Sequence, residues 1–169
     1  MVQVKGFTMI ELIMVIVLVG VLSFYAQSKF ETGAFEERFF ADDLVSALRF
    51  AQKFSLSSGC QVQFSLTASG FSLVSDGECE TNNAVNFNQN VLRPWAATAF
   101  VNQEPVPDQL TYQDGSSNTI TTKTIVFYPQ GWACSANGNS TSVEMIVLVG
   151  SSTTRSINVV CSTGFVYVT

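Results

Sequence analysis

Hydrophobic positions follow successive rhythms along the chain. From Phe7 to Ala26 almost every residue is apolar and no polar face interrupts the run. Further on, Phe40, Leu44, Leu48, Ala51 and Phe54 recur at steps of three or four. Arg38, Asp42, Ser46, Arg49 and Lys53 form the opposing polar stripe. After Cys60 the rhythm changes again: Cys60 to Leu66 alternates with a period of two, Thr67 to Gly70 has turn composition, and Phe71 to Val74 returns. The first rhythm predicts a helix apolar all round, the second an amphipathic helix, and the third a β-hairpin.

Helix and strand limits follow from local signals. Gly59, after Ser57-Ser58, is a plausible helix stop, so one helix is expected from about Phe7 to Ser57, with a weak point at Gly33. Strands are expected over Ile120–Tyr128, Val143–Val149, Ser156–Cys161 and Phe165–Val168, with turns at Gly150-Ser151-Ser152 and Ser162-Thr163-Gly164. Thr81 to Asn90 is rich in asparagine and is expected to be loop. Arg93 to Gln109 carries Pro94, Pro105 and Pro107 and is expected to be irregular. The fold class expected is α+β. A long N-terminal helix, membrane-spanning in its first half and amphipathic in its second, packs on an antiparallel β-sheet domain. The segments are 1–6, 7–26, 27–58 and 59–169.

The Phe7–Ala26 run decides the compartment. As a helix it would cover roughly 30 Å, the thickness of a bilayer core. A cleaved secretory signal fits poorly, because the run is longer than such h-regions, contains Glu11, and is followed by no small-residue cleavage site. Lys5 and the initiator amine precede the run, which predicts a cytoplasmic N-terminus and places the rest of the chain in a bacterial periplasm. Glu11 is then anomalous, since a carboxylate in a membrane helix costs roughly 2.5–3.5 kcal/mol and is usually functional and paired. Cutting between Gly6 and Phe7 would create an α-amine one helical turn away, or one facing Glu11 of a neighbouring subunit.

The stretch Lys5-Gly6-Phe7-Thr8-Met9-Ile10-Glu11-Leu12 resembles the N-terminal signal of type IV pilins and type II secretion pseudopilins. That pattern is a short basic leader ending in glycine, then Phe-Thr-x-x-Glu, then a long apolar helix. The resemblance implies that a prepilin peptidase cleaves after Gly6 and N-methylates Phe7. It also implies that Glu11 neutralises the Phe7 amine of an adjacent subunit in a filament core. The implied partners are other pilin or pseudopilin subunits, the peptidase and an inner-membrane assembly platform. The segment Phe127-Tyr128-Pro129-Gln130-Gly131-Trp132, the strand Arg155 to Val160 and the segment Gly164 to Val168 are similar to the C-terminal pattern of H-type minor pseudopilins. They are equally similar to minor pilins of mannose-sensitive hemagglutinin-type pili. One departure is Phe165, where that pattern usually has a basic residue after the glycine. The function implied is that of a minor pilin or pseudopilin subunit. The alternatives are a major adhesive pilin and a DNA-uptake minor pilin.

Composition narrows the chemistry. The chain has 169 residues, 47% apolar and 12% charged, a net charge of -5 and no histidine. It is long enough for one domain with a real core. The acidic balance offers no attraction to nucleic acid, and the tail Ser162–Thr169 has no charged side chain. Without histidine the commonest general base and metal ligand is missing. Asp76, Glu78 and Glu80 cluster in sequence, but their spacing around a turn reads as a solvated loop. No enzyme activity, catalytic residue, cofactor or metal is therefore expected. The cysteines Cys60, Cys79, Cys134 and Cys161 lack the close pairs of a zinc site and read as periplasmic disulfides. Of the three possible connectivities, Cys60–Cys79 would staple the first hairpin, leaving Cys134–Cys161 to pair across the C-terminal sheet.

Overall fold

The computed structural model of the chain describes residues 6–27, 32–77, 79, 86–94, 96–100, 106–107, 110–135, 143–151 and 154–169. The chain divides into two compact units, Met1–Thr32 and Gly33–Thr169. The leader residues Met1 to Lys5, Lys29, Glu78, Glu80 and Pro105 lie outside the described residues.

In the first unit α1 covers Met9–Gln27. It starts later than the expected span because Thr8 caps it: the Thr8 carbonyl accepts from the amides of Glu11 and Leu12, at 3.1 and 3.2 Å. Its apolar side chains are exposed on every side, from Met9 at 81% to Phe24 at 83%. Among the described residues no helix is long and apolar enough to cross a membrane.

In the second unit α2 covers Thr32–Ser58. The single helix expected over Phe7–Ser57 is therefore given as two helices, with residues 28–31 outside the described residues. Gly33, expected to be a weak point, lies inside the first turn of α2. The helix ends as its sequence signals: Gly59 adopts φ 74°, and its amide bonds the Ser55 carbonyl at 3.1 Å. Phe40, Leu44, Leu48 and Ala51 are buried, whereas Arg38, Asp42, Ser46, Arg49 and Lys53 are all exposed.

The described strands form two antiparallel five-stranded sheets. They are β1 (Val62–Thr67), β2 (Gly70–Asp76), β3 (Phe87–Asn90), β4 (Thr111–Gln113), β5 (Thr119–Ile120), β6 (Lys123–Phe127), β7 (Ala133–Ser135), β8 (Val143–Val149), β9 (Thr154–Val160) and β10 (Val166–Val168). The first sheet has the order β3-β2-β1-β6-β7 and the second β10-β9-β8-β4-β5. The strand expected over Ile120–Tyr128 is split between them. Ile120 pairs with Tyr112 in the second sheet, while Lys123 pairs with Leu66 in the first. The chain changes sheets at Thr121-Thr122, where two exposed polar residues need no core face. Within the asparagine-rich segment expected to be loop, Phe87–Asn90 is a strand. It is an exposed edge whose backbone pairs with β2, and pairing outweighs the poor strand propensity of asparagine. The described part of Arg93–Gln109 is irregular, as its prolines require.

One core joins α2 to both sheets. Phe40 meets Phe71 of the first sheet edge-on at 5.9 Å and stacks with Tyr112 of the second at 6.5 Å. Glu37, on the same helix face, is buried as well. Its carboxylate accepts from the Ser151 amide at 2.8 Å and the Ser151 hydroxyl at 2.7 Å, just after β8. A Cβ on Gly150 would overlap that carboxylate.

This contact yields a test. Gly150→Ala is expected to lower stability by about 1–3 kcal/mol, because the buried carboxylate must move off its donors. Glu37→Ala should cost a similar amount. The double variant should lose less than the sum, because both changes act on one contact. Urea unfolding of the four proteins measures all three terms, and a neutral Gly150→Ala would contradict the packing described.

Candidate functional sites

The N-terminal site rests on the cap of α1. Thr8 Oγ1 accepts a long bond from the Glu11 amide at 3.4 Å. Thr8-Met9-Ile10-Glu11 thus has the spacing of a capping box, a helix-start signal that the sequence reading passed over. Glu11 stands in the first turn. There the unpaired amides and the helix dipole favour a carboxylate by about 0.3–1 kcal/mol, so the acid is placed at the end of the apolar helix rather than within it. It is the only charged residue between Gly6 and Gln27. Phe7 is 75% exposed, and among the described residues nothing lies within 4 Å of a Cβ built on Gly6. The Gly6–Phe7 bond is open to approach, and Glu11 is exposed one turn beyond it.

The cysteines form the second site. Cys60 and Cys79 are joined by a disulfide, as their places beside the first hairpin suggest. Cys60 follows the α2 cap and Cys79 follows β2, so the bond ties the helix end to the hairpin exit. Cys79 itself adopts φ 51°, a backbone shape uncommon outside glycine. Cys134, in β7, and Cys161, after β9, are free thiols in this structure. They are neighbours: Cys134 is close enough to raise the Cys161 thiol, and the Ala133 amide donates to the Cys161 carbonyl at 2.8 Å. That backbone bond joins the edge of the first sheet to the second sheet. Burial, then the adjacent Cys134, pushes the Cys161 thiol up to about 11. Tyr128, stacked on Trp132 at 3.6 Å, is also raised, by burial first and then by Cys134.

Other candidate groups are occupied structurally. Asp76 is buried at 4% exposure, so the expected solvated loop does not include it. It is the last residue of β2 rather than part of the turn beyond it. Arg93, Lys123 and Arg155, the basic residues beyond position 81, pair with Asp43, Glu144 and Asp42 respectively. Among the described residues no group of three or more His, Cys, Asp or Glu is placed to hold a metal ion.

The Cys161 thiol sets a pH dependence for the reduced protein. Its folded pKa lies above the ordinary 9.0, so its contribution is intact below pH 9 and is lost as pH rises toward 11. Thermal unfolding in reductant should show that alkaline loss, and Cys161→Ala should flatten it. Tyr112, whose hydroxyl is also raised by burial, adds its own loss in both proteins, so the difference between them isolates the thiol. Equal slopes would contradict its burial as a neutral group.

No protein-family model, curated protein or solved structure matches the chain.

Proposed function

We propose that the chain is a minor pilin or pseudopilin subunit that assembles through its N-terminal helix into a type IV pilus-like or type II secretion pseudopilus filament. The observation that carries this reading is α1 itself, an exposed helix apolar on every side whose one charge is Glu11 in its first turn. A helix with no polar face must be covered, by lipid or by other helices. The 19 residues of α1 cover roughly 28 Å, short of a full span on their own; the proposal adds the apolar Phe7 before them to reach a bilayer core of about 30 Å. In the inner membrane α1 is the single-pass anchor, with the N-terminus cytoplasmic and residues 59–169 periplasmic. In the filament, α1 helices of neighbouring subunits cover one another.

The leader is removed after Gly6, and Phe7 becomes the methylated first residue. Its amine meets Glu11 of a neighbouring subunit. The pairing fixes axial register, because an unpaired charge among apolar helices is costly. Prepilin peptidase and an inner-membrane assembly platform are the partners this route requires. In the oxidising periplasm the neighbouring thiols Cys134 and Cys161 give up two protons and two electrons to a disulfide-bearing oxidant by thiol–disulfide exchange and close into a second disulfide that staples one sheet to the other. Nucleic acid is not a partner in this reading, since each basic residue beyond position 81 is held in an ion pair.

Mass spectrometry of the purified subunit should find residues 1–6 missing and one methyl group on Phe7. Cleavage near Ala26, or an intact Met1, would refute the assignment. Peptide mapping without reductant should recover Cys60–Cys79 and Cys134–Cys161, with no alkylatable thiol.

Glu11→Leu should be inserted and processed normally yet fail to co-assemble, read as lost cross-linking to partner subunits. Glu11→Gln should be intermediate at most, since it accepts a hydrogen bond but has no charge. Wild-type assembly by processed Glu11→Leu would remove the role given to this carboxylate while leaving the processing result untouched.

A further inference from the structure

A groove of about 850 Å³ lies between α2 and the ends of β9 and β10. Val45, Phe50 and Val168 give it apolar surface, while Arg49, Lys53 and Arg155 bring three cations against the side-chain carboxylate of Asp42 and the α-carboxylate of Thr169. Arg155 is paired with Asp42 at 2.6 Å. Arg49 and Lys53 have no ion-pair partner among the described residues, and both are exposed. The groove thus keeps an excess of positive charge in a chain whose net charge is -5.

The groove also borders a sheet edge. β10 is the outermost strand of its sheet. Thr169 and Ser156 exchange both backbone hydrogen bonds, at 2.9 and 3.1 Å. By the alternation of an antiparallel pair, the N–H and C=O of Val168, which stands opposite Ile157, point away from β9. Toward its start the edge is covered: Arg49 Nε donates to the Val166 carbonyl at 3.4 Å, and Gln52 Nε2 to the Thr163 carbonyl at 2.8 Å. At Val168 that cover ends and the groove begins. Val168 itself is 41% exposed.

We propose that this groove takes an extended acidic segment of a partner polypeptide, which adds to the open end of β10 through Val168 and sets its carboxylates against Arg49 and Lys53. The mode is strand addition: backbone bonds give binding, and alternate side chains give selectivity. The face of the added strand turned toward α2 carries the carboxylates, which answer the groove's excess positive charge, and its backbone continues the sheet at Val168. This inference does not depend on the filament reading, because it uses only residues of the second unit.

The test uses the full chain in nonionic detergent micelles and a fluorescein-labelled, end-capped peptide, Ser-Glu-Val-Glu-Val-Glu-Ser. Anisotropy should show saturable binding that weakens with added salt. The same peptide with lysine for glutamate should not bind, and methylating its valine backbone nitrogens should weaken binding about tenfold or more. Lys53→Glu, at an exposed position, should also weaken it about tenfold with no change in thermal midpoint. Arg49→Glu should weaken it further, and circular dichroism will report whether that variant folds. In ¹⁵N-labelled protein the Val168 amide should shift on titration while the Val62 amide in the other sheet stays put. No saturable binding up to about 1 mM would overturn the proposal. So would equal binding of the lysine or N-methylated peptide, or an unchanged affinity in Lys53→Glu. Competition by a single-stranded oligonucleotide but not by unlabelled peptide would assign the groove to phosphate instead. Self-association abolished by Lys53→Glu would assign it to a second copy. Either result also overturns the proposal.

Discussion

Phe40 touches an aromatic ring in each sheet, and the second unit is organised around that contact. Neither sheet can bury its inner face alone. Val62, Phe64 and Ile125 line one, Ile146, Leu148 and Ile157 line the other, and the α2 stripe of Phe40, Leu44, Leu48 and Ala51 completes both. Each fully buried leucine or phenylalanine removed from water is worth about 1.5–3 kcal/mol, so the stripe is a major stabilising contribution. Its position also decides which polar groups are exposed. Once the stripe faces inward, Arg49 and Lys53 must face outward beside β10, and Glu37 is carried under the turn after β8.

Buried polar groups then fix details that apolar packing leaves open. Glu37 is held by Ser151, and Lys123 pairs with the buried Glu144 across the two sheets' strands. The Ser55 hydroxyl donates to the Phe127 carbonyl at 3.1 Å, pinning the last turns of α2 to β6. Arg93 reaches back to Asp43 at 3.2 Å and lies over the Phe100 ring at 4.8 Å, which anchors an otherwise irregular segment to the helix. Each such group is costly if left alone in the interior. Together they select one register of helix against sheet from several that would bury similar area.

The first unit obeys a different constraint. α1 has no face to offer a core of its own, and its stability in isolation comes from backbone bonds and the Thr8 cap. Its apolar surface is a requirement for a covering environment rather than a product of folding. Glu11 sits at the one place on such a helix where a carboxylate is least unwelcome, beside the free amides of the first turn. The two units therefore differ in kind: one is an apolar helix with a carboxylate in its first turn, the other a body with its own core.

Sequence alone determined the elements whose periodicity is local. The α2 stripe, its stop at Gly59, the first hairpin, β8 and the final strands could be read because a helix or a hairpin repeats its environment every few residues. The apolar run and Glu11 were legible for the same reason, as was the Cys60–Cys79 pairing, whose partners flank one hairpin. What the tertiary structure alone decided depends on partners distant in the chain. Ile120–Tyr128 reads as one strand, yet it is divided between two, because Ile120 finds Tyr112 and Lys123 finds Leu66 in different sheets. β3 forms from poor strand formers because β2 offers it an unpaired edge. Glu37 looks like one more helix carboxylate until the turn after β8 closes over it, and the groove by Val168 exists only where α2 stops covering a strand more than a hundred residues later in the chain. Local pattern specifies which faces are apolar. Which apolar faces meet, and which backbone edges stay open, is settled by the long-range pairing that no short window contains.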